Sequence, residues 1–178
     1  MKRILALFAL GLGCSSAMAN TGIINFEGTV KAGGTCPISV VTPAGPGLPK
    51  VYLGDFKADD FTAAGMKTPL QRFALRIDPA TCAAIPGDTT VTFNAGYGAD
   101  PTGKLYALQS GVGYSEGFAL AIYDKSNAQL DPGAASVTYV LDPAKPTDMN
   151  FTAQLHTTAA KVTEGHIATS VDFAVEIP

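Results

Sequence analysis

Gly113-Tyr-Ser-Glu-Gly117 matches G-x-S-x-G, the spacing that lifts a serine nucleophile onto a sharp strand-to-helix turn in many esterases. Asp124 or Asp131, followed by His156 or His166, would complete the chain order Ser, Asp, His. The chemistry needs a strand before the serine and a helix after it. Here Gln109-Ser-Gly-Val precedes, and Phe118-Ala-Leu-Ala-Ile-Tyr follows, bounded by turn residues and too short for that helix. The remaining reactive groups are equally isolated. The two histidines lie ten residues apart without an H-E-x-x-H pattern or clustered carboxylates. Gly111, Gly113 and Gly117 lack the G-x-G-x-x-G spacing. Asp59-Asp60 lacks the alternating ligands of a calcium loop and reads as a solvated turn. No catalytic, metal or cofactor constellation is expected.

The cysteines carry a different message. Lys2 and Arg3, the apolar run Ile4 to Leu12 and Ala17-Met-Ala19 form the three regions of a secretory signal peptide, predicted to be cleaved before Asn20. A lipoprotein leader ending at Cys14 fits less well, because no polar tether follows. Removing residues 1–19 leaves Cys36 and Cys82, and an even pair in an exported chain predicts a disulfide. Two cysteines without C-x-x-C spacing are a poor metal site. Without Lys2 and Arg3 the basic residues fall from 12 to 10 against 15 acidic ones. That acidic balance argues against a nucleic-acid partner.

The elements that would position these groups are strands. Charged residues make up only 15% of the chain, Gly and Pro are abundant, and Val, Thr, Phe and Ile recur in short runs, which is the composition of a β-sandwich. Gly22, Ile24, Phe26, Gly28 and Val30 alternate with Ile23, Asn25, Glu27 and Thr29, a period of two. This strand ends in Ala32-Gly33-Gly34, a hinge. Further strands are predicted at Cys36 to Val41, Val51 to Leu53, around Phe73 to Ile77, at Val91 and Phe93, from Phe118 to Ile122, from Val137 to Leu141 and from Phe151 to Leu155. Asp59 to Gly65 reads as an irregular or briefly helical connection. Ile167, Thr169, Val171, Phe173, Val175 and Ile177 form the last strand, expected to be the longest. An apolar strand of that kind needs a partner on each side or it becomes an aggregating edge.

Several pieces together resemble one family. They are Gly22 to Val30 leading to Cys36-Pro-Ile38, Val51-Tyr-Leu-Gly54, Phe61-Thr-Ala-Ala-Gly65 with Thr68, and Phe73-Ala-Leu-Arg-Ile77 before Cys82. Gly117-Phe-Ala-Leu-Ala-Ile-Tyr-Asp124, Phe151-Thr-Ala-Gln154, and Val162-Thr-Glu-Gly165 followed by Phe173 complete the set. In this order they resemble the major pilins of chaperone–usher fimbriae over essentially the whole mature chain. The resemblance implies an all-β, incomplete immunoglobulin-like sandwich, the pilin fold, completed by a strand from a periplasmic chaperone or a neighbouring subunit. Pilin complementation is a known case of strand addition to an open sheet. It implies residues 20–33 as donor-strand extension and 34–178 as the pilin domain, with an outer-membrane usher as assembly partner and a fimbria on the cell surface as destination. It further implies Ile24, Phe26, Gly28 and Val30 as donor residues, with Gly28 over a shallow pocket. Val171, Phe173, Val175 and Ile177 would line the acceptor groove and pair with the chaperone. From the residues alone, Gly22–Val30 reads equally as the first strand of its own sandwich. Two positions depart from the family pattern: Ile177 stands before the final Pro178 where an aromatic is usual, and Leu155 replaces a usual tyrosine. The readings from other classes are a periplasmic or secreted carbohydrate-binding sandwich and a small esterase.

Overall fold

A computed structural model describes residues 22–28, 36–82 and 87–176 of the chain. The signal segment, Cys14, Val30, the Ala32–Gly34 hinge, Ile177 and Pro178 lie outside the described residues. The strands are β1 (Gly22–Gly28), β2 (Ile38–Val41), β3 (Val51–Tyr52), β4 (Gln71–Ile77), β5 (Asp88–Ala95), β6 (Tyr106–Ala107), β7 (Phe118–Tyr123), β8 (Gln129–Leu130), β9 (Tyr139–Val140), β10 (Thr147–Thr157) and β11 (Ile167–Glu176). They form two sheets. One runs β3-β1-β11-β5-β9, and the other β2-β4-β10-β7-β6, with β8 also pairing β7. The predicted all-β architecture is therefore the observed one.

Local sequence explains most elements. In β11 the buried members Ile167, Thr169, Val171, Phe173 and Val175 alternate with residues turned outward. In β7 the alternation is large against small: Phe118, Leu120 and Ile122 with Ala119 and Ala121, all buried. The two alanines lie on the outer face under the polar side chains of β10, where Gln154 and His156 pair opposite them. The connection at Asp59 contains a 3-10 turn at Ala58–Asp60. Two expectations need correcting. β10 has 11 residues against 10 in β11, so the last strand is not the longest. Its extra length begins at Thr147, where polar Asp148 and Asn150 alternate with buried Met149 and Phe151 and hide the strand from a search for apolar runs. β6, two residues among turns, was not foreseen; Tyr106 anchors it, fully buried with its hydroxyl donating to the Leu130 carbonyl at 3.2 Å.

The core lies between the sheets. Phe73, Phe93 and Phe151 meet with ring centroids 4.9 to 6.1 Å apart, and Tyr139 joins Phe151 at 5.4 Å. Such ring pairs contribute roughly 0.5–1.5 kcal/mol each beyond their burial. Cys36 and Cys82 form the predicted disulfide across 46 residues of sequence, with Cα atoms 4.5 Å apart. Closing a loop of that length stabilises the fold by about 4 kcal/mol in the chain-entropy view.

Candidate functional site: a groove filled by the chain's own first strand

The region that the sequence pointed to is the middle of the five-stranded sheet. β11 is paired on one side with β5, antiparallel, from Val171↔Ala95 to Glu176↔Thr90. On its other side lies β1, parallel, in unbroken register from Gly22↔Ile167 to Gly28↔Phe173. β1 in turn pairs antiparallel with β3 through Ile23↔Tyr52 and Ile24↔Val51. Every other ladder between named strands is antiparallel. Without β1, β3 and β11 would stand apart by two strand spacings, about 9–10 Å, with a row of unpaired N–H and C=O groups on each wall.

Of the predicted groove residues, Val171, Phe173 and Val175 are buried on the core face of β11. Ile24, Phe26 and Gly28 fall in register beside Thr169, Val171 and Phe173. Thus the structure places the first strand within its own chain's sheet. The sequence did not mark β3 as the opposite wall, although it gave Val51–Leu53 as a strand. Nothing in a short Val-Tyr-Leu run says which strand will lie beside it. Thr169, within the last strand, has a role that alternation alone does not reveal. Its hydroxyl donates to the Ala107 carbonyl at 2.8 Å and ties β11 to β6 across the sheets.

The esterase-like residues are structural. Ser115 is buried and donates its hydroxyl to the Thr163 carbonyl at 2.7 Å. A strand, β7, follows it instead of a helix. Its contact with His166 runs through the backbone, Ser115 N–H to the His166 carbonyl at 2.9 Å. Gly165 permits that approach: a Cβ there would lie 2.4 Å from the Tyr114 carbonyl carbon. His156 sits on the outer face of β10, 3.0 Å from the Tyr123 hydroxyl. Burial, then the nearby Lys67 charge, hold its imidazole below the ordinary histidine range. Asp124 is consumed in its own turn. Burial would raise its pKa, but the Ser126 hydroxyl and the Val137, Ser126 and Ala128 amides together hold it below the usual value.

Comparison with known proteins agrees with this geometry. The fimbrial protein family matches residues 24–177. The chain is 30% identical to a probable major fimbrial subunit, LpfA, of Escherichia coli O157:H7, over 97% of this chain and 94% of that one. It is 29% identical to a type-1 fimbrial protein subunit of Serratia marcescens, over 99% of both. The fold is similar to that of the P pilus rod subunit PapA, with a TM-score of 0.58 and 17% identity, covering 80% of this chain and 99% of that one. With its serine, histidines and aspartates tied into turns and strand faces, and relatives of this kind across its whole length, the chain belongs to the fimbrial protein family, as an exported structural subunit of a bacterial surface fimbria and not an enzyme.

Proposed function

We propose that this subunit polymerises head to tail by strand exchange, with residues 20–33 as the donor and the β3–β11 groove as the acceptor. The observation that carries the reading is the position of β1. The strand that completes the sheet comes from the chain's far N-terminal end, and residues 34–178 would carry the rest of the sandwich with an open groove. Ile24, Phe26, Gly28 and Val30 are the donor residues, and Val171, Phe173, Val175 and Ile177 the receiving ones. Head-to-tail insertion is a heterologous contact, so it propagates into a fibre and does not close. A periplasmic chaperone would hold the groove before assembly, and an outer-membrane usher would be the place of exchange. Identical or homologous subunits are the final partners.

The parallel ladder in its own groove supports a second state of the same molecule, a monomer closed by its own strand. Parallel pairing is slightly weaker per residue than antiparallel pairing. A strand arriving from another copy is free to enter in either direction and has an energetic route to displace β1. The test is an unheated denaturing gel of protein co-expressed with its chaperone and usher, comparing the intact mature chain with one lacking residues 20–33. The intact chain should give a detergent-resistant ladder that collapses on heating, and the truncated chain none. Well-folded monomer from both would overturn the exchange reading.

A further inference from the structure

β4 carries two arginines on the outer face of the six-stranded sheet, and they are treated differently. Arg76 stands opposite Asp148 of β10 and makes a forked ion pair, Nε to Oδ1 at 2.5 Å and the second guanidinium nitrogen to Oδ2 at 2.8 Å. Four residues earlier Arg72 stands opposite Thr152. Among the described residues Arg72 has neither an ion pair nor a side-chain hydrogen bond, and the Thr152 hydroxyl oxygen is buried without a partner. The strand pair therefore supplies a carboxylate at one arginine and omits it at the other.

The place where it is missing is a cavity. A trough of about 420 Å³ crosses β4 and β10 between Pro43 on one side and the β7–β8 turn on the other. Arg72, Lys125, Asn127, Asn150 and Thr152 present polar groups along it. The Lys125 ammonium is held by the Thr138 carbonyl at 2.7 Å and over the Tyr139 ring at 4.5 Å from its centroid. Asn127 is fixed in a left-handed turn, φ 62°, whose amide donates to the Asp124 carbonyl. The Asp124 carboxylate at the edge is already occupied by donors from its own turn and from Val137. In a chain of net negative charge this trough is locally positive.

We infer that this trough binds the carboxylate of an acidic sugar, with Arg72 as the carboxylate fork and Asn127 and Asn150 reaching ring hydroxyls. Arginine matches a carboxylate through two parallel hydrogen bonds, as Arg76 demonstrates in the same strand. The volume falls at the small end of the roughly 300–1,000 Å³ typical of small-molecule sites, suited to one or two sugar rings. Pro43 and Phe151 line the trough beside these polar groups, so it offers apolar surface to a ring face as well as partners to hydroxyls. The site lies on the opposite sheet from the β1 groove and is independent of strand exchange.

The test uses the full mature chain, isotopically labelled, titrated with glucuronic acid and with glucose, which lacks the carboxylate. Glucuronic acid should shift the amide signals of residues 72, 125, 127, 150 and 152, and glucose should bind at least tenfold more weakly. Arg72→Gln should weaken glucuronic acid at least tenfold, Arg72→Lys should restore part of the affinity, and Lys145→Gln should change nothing. Equal response to both sugars, no response at millimolar concentration, or full binding by Arg72→Gln would overturn the proposal. So would loss of fibre bundling in Arg72→Gln without any sugar response, which would assign the trough to contacts between copies.

Discussion

The six-stranded sheet is antiparallel throughout and built from residues 38–157, while the five-stranded sheet holds β1, between β3 and β11, running parallel to the last strand. The first sheet is held by ladders among strands of one stretch of the chain, with the Arg76–Asp148 ion pair across two of them. The second contains one member, β1, paired through its backbone with a strand on each side. Backbone pairing is nearly indifferent to which chain supplies the strand, because every residue but proline offers the same N–H and C=O groups. On the proposed function, a single sandwich combines a fixed half with a slot that a second chain can fill.

Removing residues 20–33 is the harshest test of that contrast. It strips a seven-residue ladder from β11 and opens the groove beside Val171, Phe173 and Val175. The loss should be comparable with the whole stability of a domain, about 5–15 kcal/mol, leaving a chain that melts without cooperativity by circular dichroism. A truncated chain with the original melting midpoint would make β1 dispensable and erase the distinction between the sheets.

Phe151→Ala acts on the six-stranded sheet. Phe151 is buried against Phe73, Phe93 and Tyr139, and truncation should cost about 3–5 kcal/mol in urea unfolding. Because this cluster is common to any occupant of the groove, the same loss should appear in monomer and fibre. A loss confined to one of them would tie the cluster to strand exchange.

Acid should separate the sheets by a smaller margin. The Arg76 guanidinium beside Asp148 holds that carboxyl below its usual range. At Asp100, burial pushes upward, but the Leu105 amide, the Thr102 hydroxyl and the Thr102 and Lys104 amides prevail and lower it. Asp124 is lowered likewise. A depressed folded pKa contributes stability above the unfolded value, near 4, and loses it as pH falls through the folded value. All three groups serve strands or loops of the six-stranded sheet, so amide exchange below about pH 4 should rise there before it rises in the β1–β11 ladder. Simultaneous opening of both would show one cooperative unit.

The mildest change is Ser115→Ala. It removes one buried hydrogen bond to Thr163 and should cost about 1 kcal/mol, with groove occupancy by β1 unaltered. A gel ladder that disappears in this variant would implicate the Tyr114–His166 junction at the start of β11 in exchange.

Much of this was legible in the residues. The period of two in β4, β7 and β11 is written in side-chain chemistry and marks both the strands and their core-facing residues, and in β1 it marks the strand. The leader and the cysteine count led to the disulfide that the fold contains. β10 is only half legible, since polar Thr147, Asp148 and Asn150 break up its apolar run, and Asp148 finds its partner in Arg76 of a distant strand. The G-x-S-x-G match shows the limit in the other direction. Its spacing was present, but its meaning depended on a helix that β7 replaces.

The sequence by itself determined which residues can share a face and which cannot, because alternation along a strand is a local property of the backbone. Tertiary structure alone decided what lies beside each strand. Pairing between distant segments depends on the closure of the whole sandwich, and hydrogen-bonding groups of the main chain carry no label. For the same reason Gly22–Gly28 is found at β11, and Arg72 faces a hydroxyl where Arg76 faces a carboxylate. Both facts are juxtapositions of residues far apart in sequence, and only the assembled sheets bring them together.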